Sequence, residues 1–437
     1  MKVLKFGGTS VGSPERIREV ARLISNRGRN IVVLSAMSGT TNSLLGISAA
    51  ALAGDTRKAL ELVDQLEARY VDVVRDLYST DEVREKVGAI LLPFFAEIRR
   101  LASTPDPDRT EKEIVAFGEL ISTNLMHQYL LSQGAKADLL PALGFMRTDE
   151  HQEPDLPYIK VRLEEMLAEE PDAHIYVTQG FICRNAKGEV DNLKRGGSDY
   201  SASLIGAAIG ADEIEIWTDI DGMHNNDPRF VEGTTPVRNL HFAEAAELAY
   251  FGAKILHPTC ILPAKEANIP VRLLNTMEPS APGTLIDNNL RHGEIKAVAA
   301  KDGITAIKIK SGRMLLAYGF LKSVFDIFNK YETPIDMIVT SEVGVSLTVD
   351  CAERLPEIIA ELKEYGEVTV DSDMVIICVV GDLEWQNRGF EAKALQALSD
   401  VPVRMISYGG SNFNISFLVR QEDKTRALQL LSQHLFA

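Results

Sequence analysis

The chain has 437 residues, 45% hydrophobic and 25% charged, ordinary globular usage with room for about three domains. Its 62 acidic and 46 basic residues give a formal net charge of −16, which opposes nucleic acid or an anionic membrane as the main partner and requires a local positive cluster for any anionic substrate. The cysteines Cys183, Cys260, Cys351 and Cys378 lack metal or redox spacing, and no apolar run nears the roughly 20 residues of a membrane-spanning helix, so a reduced, cytoplasmic chain is expected.

The apolar run 3–6 reads as a strand. It ends in Lys5-Phe6-Gly7-Gly8-Thr9-Ser10, and Ser13-Pro14 then opens a helix, with serine as N-cap and proline at the first helical position. A strand therefore delivers a lysine and bare glycine amides to the front of a helix, a geometry that suits phosphate. A tight turn with a solvated lysine is the plain alternative. Neither familiar phosphate motif is present. Ser13-Pro14 stands where a Walker loop needs Lys-Ser/Thr, and Gly8 sits one place too early for the dinucleotide fingerprint.

The run 31–34 is a second buried strand and leads into the polar loop 35–42. Apolar spacing over 59–77 is helical. Ser79 with Glu82 and Thr110 with Glu113 read as capping boxes, the second opening a helix that runs to Gly134. Gly118-Glu119 lies inside that helix. An interior glycine costs about 1 kcal/mol against alanine, which suggests that something approaches the backbone there; Glu119 then points at a site, with a plain surface glutamate as the alternative. Strands at 174–178, 213–217 and 270–274, alternating with helices, imply an α/β sandwich over the first 290 residues.

Arg195-Gly196-Gly197-Ser198-Asp199 again places two glycines at a helix entrance. Arg195 offers a fork for a carboxylate or phosphate. Asp199 could hold an ammonium, from a substrate or from Lys5; simple capping by Ser198 or Asp199 is the alternative. A strand end at Trp217-Thr218-Asp219 is where ligands sit in open α/β sheets, with Thr218 and Asp219 suited to ribose or adenine edges. Asp227-Pro228-Arg229 adds an arginine that can meet phosphate, although taken alone this stretch reads first as a turn rich in Asp, Gly and Pro, and Phe251-Gly252-Ala253-Lys254 adds a lysine beside a glycine. His257-Pro258 reads as a structural turn.

Beyond the turn-rich stretch 278–283 the texture changes. A half-buried strand at 304–310, an amphipathic helix at 320–331, a strand at 346–349 and a helix at 352–365 are followed by a similar series at 375–380, 392–398, 403–406, 414–418 and 424–434. Two small α+β modules with antiparallel sheets fit, of a kind that binds small ligands or pairs edge to edge.

No histidine or cysteine nucleophile lies near the glycine-rich loops. Phosphoryl transfer needs mainly positioning and charge neutralisation, which lysines and backbone amides supply. The order Lys5-Phe6-Gly7-Gly8-Thr9-Ser10, Gly39-Thr40-Thr41-Asn42, Gly118-Glu119, Arg195-Gly196-Gly197-Ser198-Asp199, Trp217-Thr218-Asp219, Asp227-Pro228-Arg229, Phe251-Gly252-Ala253-Lys254 closely resembles the aspartate kinases of the amino-acid kinase superfamily, over essentially the whole chain.

The resemblance implies an amino-acid-kinase three-layer α/β sandwich at 1–290, followed by two α+β ACT (ferredoxin-like) domains at 311–373 and 374–437, with a strand donated from about 295–310. It implies ATP-dependent phosphorylation of the β-carboxylate of L-aspartate, with Mg carried mainly by the phosphates. Lys5 and Asp199 are then catalytic. Thr41, Glu119, Arg195 and Ser198 face aspartate, and Lys5, Phe6, Gly7, Gly8, Thr218, Asp219, Arg229 and Lys254 hold ATP. In the tail, Met314, Phe320, Leu321, Asp336, Ser341 and Glu342 resemble the effector-binding segment of lysine-sensitive members, which implies lysine as feedback inhibitor and a homodimer or higher assembly through the ACT domains. Nothing resembling a homoserine dehydrogenase follows residue 437, so a monofunctional enzyme is expected. Lys194, where the family usually has glycine, His224, where an aromatic often meets nucleotide, and Ala317, where lysine-sensitive relatives offer a hydroxyl, depart from the pattern. Two rival readings are a kinase for another carboxylate such as glutamate and a catalytically silent ACT-based amino-acid sensor.

Overall fold

Alternation along the first strand, Lys2–Phe6, sets the architecture of the region around it. Leu4 and Phe6 point to one face and Val3 and Lys5 to the other, and four of these five residues are buried. The computed structural model describes residues 1–193, 196–252, 258–312 and 318–436. These form two compact units, Met1–Met223 with Ile255–Asn288, and His224–Lys254 with Asn289–Ala437.

In the first unit the sheet runs in the order Ala137–Leu140, Ile175–Gln179, Asn30–Leu34, Lys2–Phe6, Ile214–Thr218, Val271–Asn275, Thr284–Asp287. All neighbours are parallel except the last pair, and the continuous Ile/Val/Leu runs are what a sheet covered on both faces requires. On one face Leu4, Phe6, Val32 and Leu34 pack with Ile17, Leu44, Val63 and Ile121 from helices Pro14–Ser25, Thr40–Leu52, Thr56–Leu77 and Thr110–Ser132. Each such side chain contributes about 1.5–3 kcal/mol when fully buried. Phe6 also stacks on Trp217, ring centroids 5.7 Å apart. Helix Gly197–Ile209 lies against the strand that carries Lys5.

Ser13 caps helix Pro14–Ser25 as expected, its hydroxyl accepting from the Arg16 amide. The two capping boxes do not form. Helix Asp81–Ser103 starts after Thr80, which makes no side-chain cap, and Asp81 and Glu82 meet the positive helix end instead. Thr110 is already the first helical residue, and its hydroxyl bonds backwards to the Asp106 amide at 2.7 Å. The turn at 278–283 is followed by a strand the sequence did not reveal, Thr284–Asp287, antiparallel to Val271–Asn275.

In the second unit the sheet is antiparallel throughout, in the order Ile338–Ser341, Gly344–Val349, Ile295–Lys310, Glu367–Gly381, Asn414–Arg420, Met405–Ser407. Its two central strands are 16 and 15 residues long and serve two separate cores. One core gathers Ile307, Val324, Phe328, Leu347 and Ile358; the other gathers Val298, Ile377, Phe390, Phe417 and Leu428. The register shifts between Lys301 and Ile304, where the strand passes from one core to the other.

Candidate active site

The site begins with the lysine on the strand Lys2–Phe6. Because Lys5 points away from the Phe6 face, its ammonium meets helix Gly197–Ile209 and sits 2.7 Å from Asp199 Oδ1, the two side chains being 11% and 15% exposed. The chain enters this helix through Gly196, in the left-handed region at φ +78°. The Asp199 amide donates to the Gly196 carbonyl at 2.8 Å, and the helix sets its positive end next to the lysine. Gly7 and Gly8 continue from Lys5. A side chain at Gly8 would stand 2.8 Å from the Ala36 carbonyl oxygen, so only glycine lets these loops close on one another. The Gly8 carbonyl accepts from the Ser38 amide at 3.1 Å.

The loop from Ser35 to Gly39 joins this centre to Glu119. A Cβ on Gly118 would lie 2.8 Å from the Ala36 Cβ, which is why the interior of helix Thr110–Ser132 carries a glycine. The neighbouring Glu119 is buried. Its Oε1 accepts from the Ala36 amide at 3.0 Å, and its Oε2 has no hydrogen-bond partner among the described residues. Burial pushes its carboxyl up to about 7, partly offset by the Ala36 hydrogen bond. Ser122 donates to the Ser35 carbonyl at 2.9 Å, and the Ser35 hydroxyl donates to Ser198 Oγ at 3.0 Å. Thr41 lies in the first turn of helix Thr40–Leu52, entered through Gly39 at φ +81°. Lys5, Gly8, Glu119, Ser198 and Asp199 are thus linked by a short chain of contacts, although they are spread over 195 residues.

Three features lie outside the sequence reading. Phe181 has φ +68°, rare for a bulky residue. Its amide donates to Ser201 Oγ, and its ring lies where a Cβ on Gly197 would stand, 2.3 Å from Cδ2. Together with Gly196, Gly197 and Tyr200 it lines a cavity of about 850 Å³. Gly180 follows the strand Ile175–Gln179, and a Cβ there would meet the Ser198 Cα at 2.9 Å. A glycine just past a strand end was the available signal. Gly180→Ala is therefore expected to displace Ser198, at about 1–3 kcal/mol of stability, and, on the expectation that Ser198 faces the acceptor, to raise the acceptor's KM about tenfold while leaving that of the nucleotide in place. Steady-state kinetics with each substrate varied in turn, beside a denaturation curve, checks it.

The remaining expected residues are more dispersed. Thr218 ends its strand with its hydroxyl bonded within the turn to Ile220, and Asp219 is exposed. Arg229 belongs to the second unit and forks onto Asp227, its Nη2 2.6 Å from Oδ2. There His224 Nδ1 meets the Thr234 hydroxyl at 2.9 Å. Phe320 opens helix Phe320–Lys330 and packs edge-on against Tyr365, while Leu321, Ser341 and Glu342 are exposed. The Asp336 side chain is covered and accepts from Lys301 and Tyr250. Arg195, Lys254 and Met314, with Lys194, His257 and Ala317, lie outside the described residues. Among the described residues no group of three or more His, Cys, Asp or Glu could hold a metal ion, and no helix is long and apolar enough to cross a membrane.

Residues 1–275 match the amino acid kinase family and residues 377–435 match an ACT domain. The chain is 35% identical to aspartokinase 1, chloroplastic, of Arabidopsis thaliana, across 99% of this chain and 80% of that one. It is 32% identical to the lysine-sensitive aspartokinase 3 of Escherichia coli, across 99% of both. It also superposes on the crystal structure of E. coli aspartokinase III in complex with aspartate and ADP, described as the R-state, with a TM-score of 0.85 and 100% coverage of both chains at 32% identity. The same E. coli protein with lysine and aspartate, described as the T-state, gives a TM-score of 0.82, again at 32% identity and 100% coverage of both.

Proposed function

This chain belongs to the aspartokinase family, and from that premise we propose that it transfers the γ-phosphoryl group of ATP to the β-carboxylate of L-aspartate, giving 4-phospho-L-aspartate and ADP. The observation that carries this reading is the Lys5–Asp199 pair set beside bare glycine amides, with the unpartnered oxygen of Glu119 joined to it through the Ser35–Ala36 loop.

The chemistry follows from charge. A β-carboxylate is already ionised at neutral pH, so one of its oxygens attacks the γ-phosphorus directly. The bond from that phosphorus to the ADP oxygen breaks, and no general base is needed. Lys5 neutralises charge on the transferring group, and Asp199 holds its ammonium in place. The amides at Gly7 and Gly8 and the entrance to helix Gly197–Ile209 receive phosphate oxygens. Glu119 takes the substrate ammonium on Oε2, Ser198 and Thr41 offer hydroxyls, and Arg195 forks onto a carboxylate. Phe6, Thr218, Asp219, Arg229 and Lys254 serve the nucleotide. Magnesium, when bound, neutralises the phosphate oxygens, and the donor set of the described residues suits an ion carried on the nucleotide instead of one caged by protein.

We assign residues 1–290 to the kinase domain and 311–373 and 374–437 to two ACT domains sharing the strand at about 295–310. Lysine is the feedback inhibitor, held by Met314, Phe320, Leu321, Asp336, Ser341 and Glu342 where two copies pair through their ACT sheets. The test is ADP release with aspartate and glutamate side by side, with and without lysine. Aspartate-dependent turnover that lysine lowers is expected. Preference for glutamate would move the chain to another carboxylate, and no turnover with either would leave the silent sensor.

A further inference from the structure

The helix that leads into the nucleotide-side segment Phe251-Gly252-Ala253-Lys254 is anchored to the second unit's sheet. This helix, Phe242–Tyr250, is fixed there at several points. His241 stacks on Phe413 with centroids 5.4 Å apart, Glu247 accepts from Asn414, and Gly252 is pressed on the strand Ile295–Lys310, where an added Cβ would stand 2.2 Å from the Ala300 carbonyl oxygen.

Tyr250 makes the contact with a chemical consequence. Its hydroxyl donates to Asp336 Oδ1 at 2.7 Å. The same oxygen takes Lys301 Nζ at 2.6 Å, and Lys301 also reaches Asp350 Oδ2 at 2.9 Å while lying 4.4 Å from the centre of the Tyr250 ring. The Asp336 side chain is 1% exposed, and its second oxygen has no partner among the described residues. Lys301 is aimed here by the register shift that begins at its position. Burial alone would lower its ammonium, but the bonds to Asp336 and Asp350 hold it above the ordinary lysine range; burial followed by the Asp336 bond pushes the Tyr250 phenol up to about 12. The cluster is therefore a charged lysine and a neutral tyrosine sharing one carboxylate oxygen.

We propose that Lys301 is a resident occupant of the cationic subsite at Asp336, that an amino-acid effector bearing a side-chain ammonium binds by exchanging with it, and that the Tyr250 hydroxyl passes this exchange to the nucleotide-side segment it precedes. The exchange rests on the lysine-effector reading above and the relay on the nucleotide role proposed for Lys254; the tie between Lys301, Asp336 and Tyr250 rests on neither. A coupling of this kind needs a shared element that both sites bias, and the Asp336 carboxylate is bonded both to Lys301 and to Tyr250.

The test is a double-mutant cycle without effector, using Lys301→Met, Tyr250→Phe and the pair. Lys301→Met alone is expected to change the KM for ATP about fivefold or more with the aspartate KM unchanged, and to have no further effect in the Tyr250→Phe background. Lys301→Arg, which keeps the charge, should behave like the unaltered protein and guards against a folding artefact. Additive effects, or no effect of Lys301→Met on the ATP KM, overturn the tie. L-Lysine is then titrated by calorimetry and by activity. Tyr250→Phe should bind it as tightly as the unaltered protein but lose most of the inhibition; full inhibition in that variant overturns the relay. If L-lysine does not bind the unaltered protein, the effector reading and the exchange built on it fall, and the cycle alone decides the tie.

Discussion

Lys5→Ala is expected to lower kcat about 100- to 1000-fold at saturating ATP and aspartate. Removing one preorganised charge contact from a developing anion costs about 3–4 kcal/mol in the transition state. The lysine is pre-aimed: it is held 2.7 Å from Asp199 in a largely enclosed position, so little reorganisation is left for the reaction step. The substitution also leaves Asp199 without its counter-charge. Because the two side chains keep 11% and 15% exposure, the loss of stability should stay at about 1–3 kcal/mol, below what a fully buried pair would show. Circular dichroism and a denaturation curve separate the two effects. A folded variant with near-normal turnover would remove Lys5 from the phosphoryl-transfer role. Asp199→Asn, which keeps the shape but not the charge, should lie between the two.

Glu119→Gln should lower kcat/KM for aspartate about 100-fold at pH 8, the loss of a charge-assisted contact to the substrate ammonium, and should change the pH profile as well. With the Glu119 carboxyl raised to about 7, kcat/KM for aspartate in the unaltered protein falls as pH drops through 7, approaching tenfold per unit, because the ammonium binds only the ionised form. The glutamine has no such limb. Stability without substrate moves the opposite way. The folded carboxyl lies above its unfolded value of 4.5, so the neutral form favours the folded state fully below 4.5, and that contribution is lost as pH rises through about 7. Glu119→Gln should flatten this part of the melting-temperature profile. A kinetic limb near pH 7 that survives in Glu119→Gln would assign the titration to another group.

The parts of the site legible in the sequence are those whose chemistry leaves a residue-type signature. A lysine ahead of paired glycines, a glycine inside a helix and an aspartate behind two more glycines each violate a local expectation, and the structure gives each a reason: loop closure at Gly8, contact with Ala36 at Gly118, and the ion pair at Asp199. The roles of Ser35, Ala36 and Phe181 were not legible because they act through a carbonyl, an amide and an unusual φ, which the side chain does not announce. The capping boxes failed for a related reason: a Ser/Thr-x-x-Glu spacing matches the motif, yet whether the hydroxyl turns forward or back is decided by the preceding loop, as at Thr110. Residue alternation marks the strand Ile295–Lys310 only from 304, because 296–299 are buried in succession and show no alternation; the start near 295 comes from the family resemblance. The Tyr250–Asp336–Lys301 cluster joins residues up to 86 positions apart, and no local pattern marks it.

The central claim is that the acceptor is the β-carboxylate of aspartate. An acyl phosphate formed there is captured by hydroxylamine, so the decisive measurement is the yield of aspartyl β-hydroxamate against ADP in a reaction containing ATP, magnesium, L-aspartate and hydroxylamine. Hydroxamate formed in step with ADP, abolished in Lys5→Ala and absent with glutamate, is the expected result. ADP released without hydroxamate, or hydroxamate formed from glutamate in preference to aspartate, would contradict it.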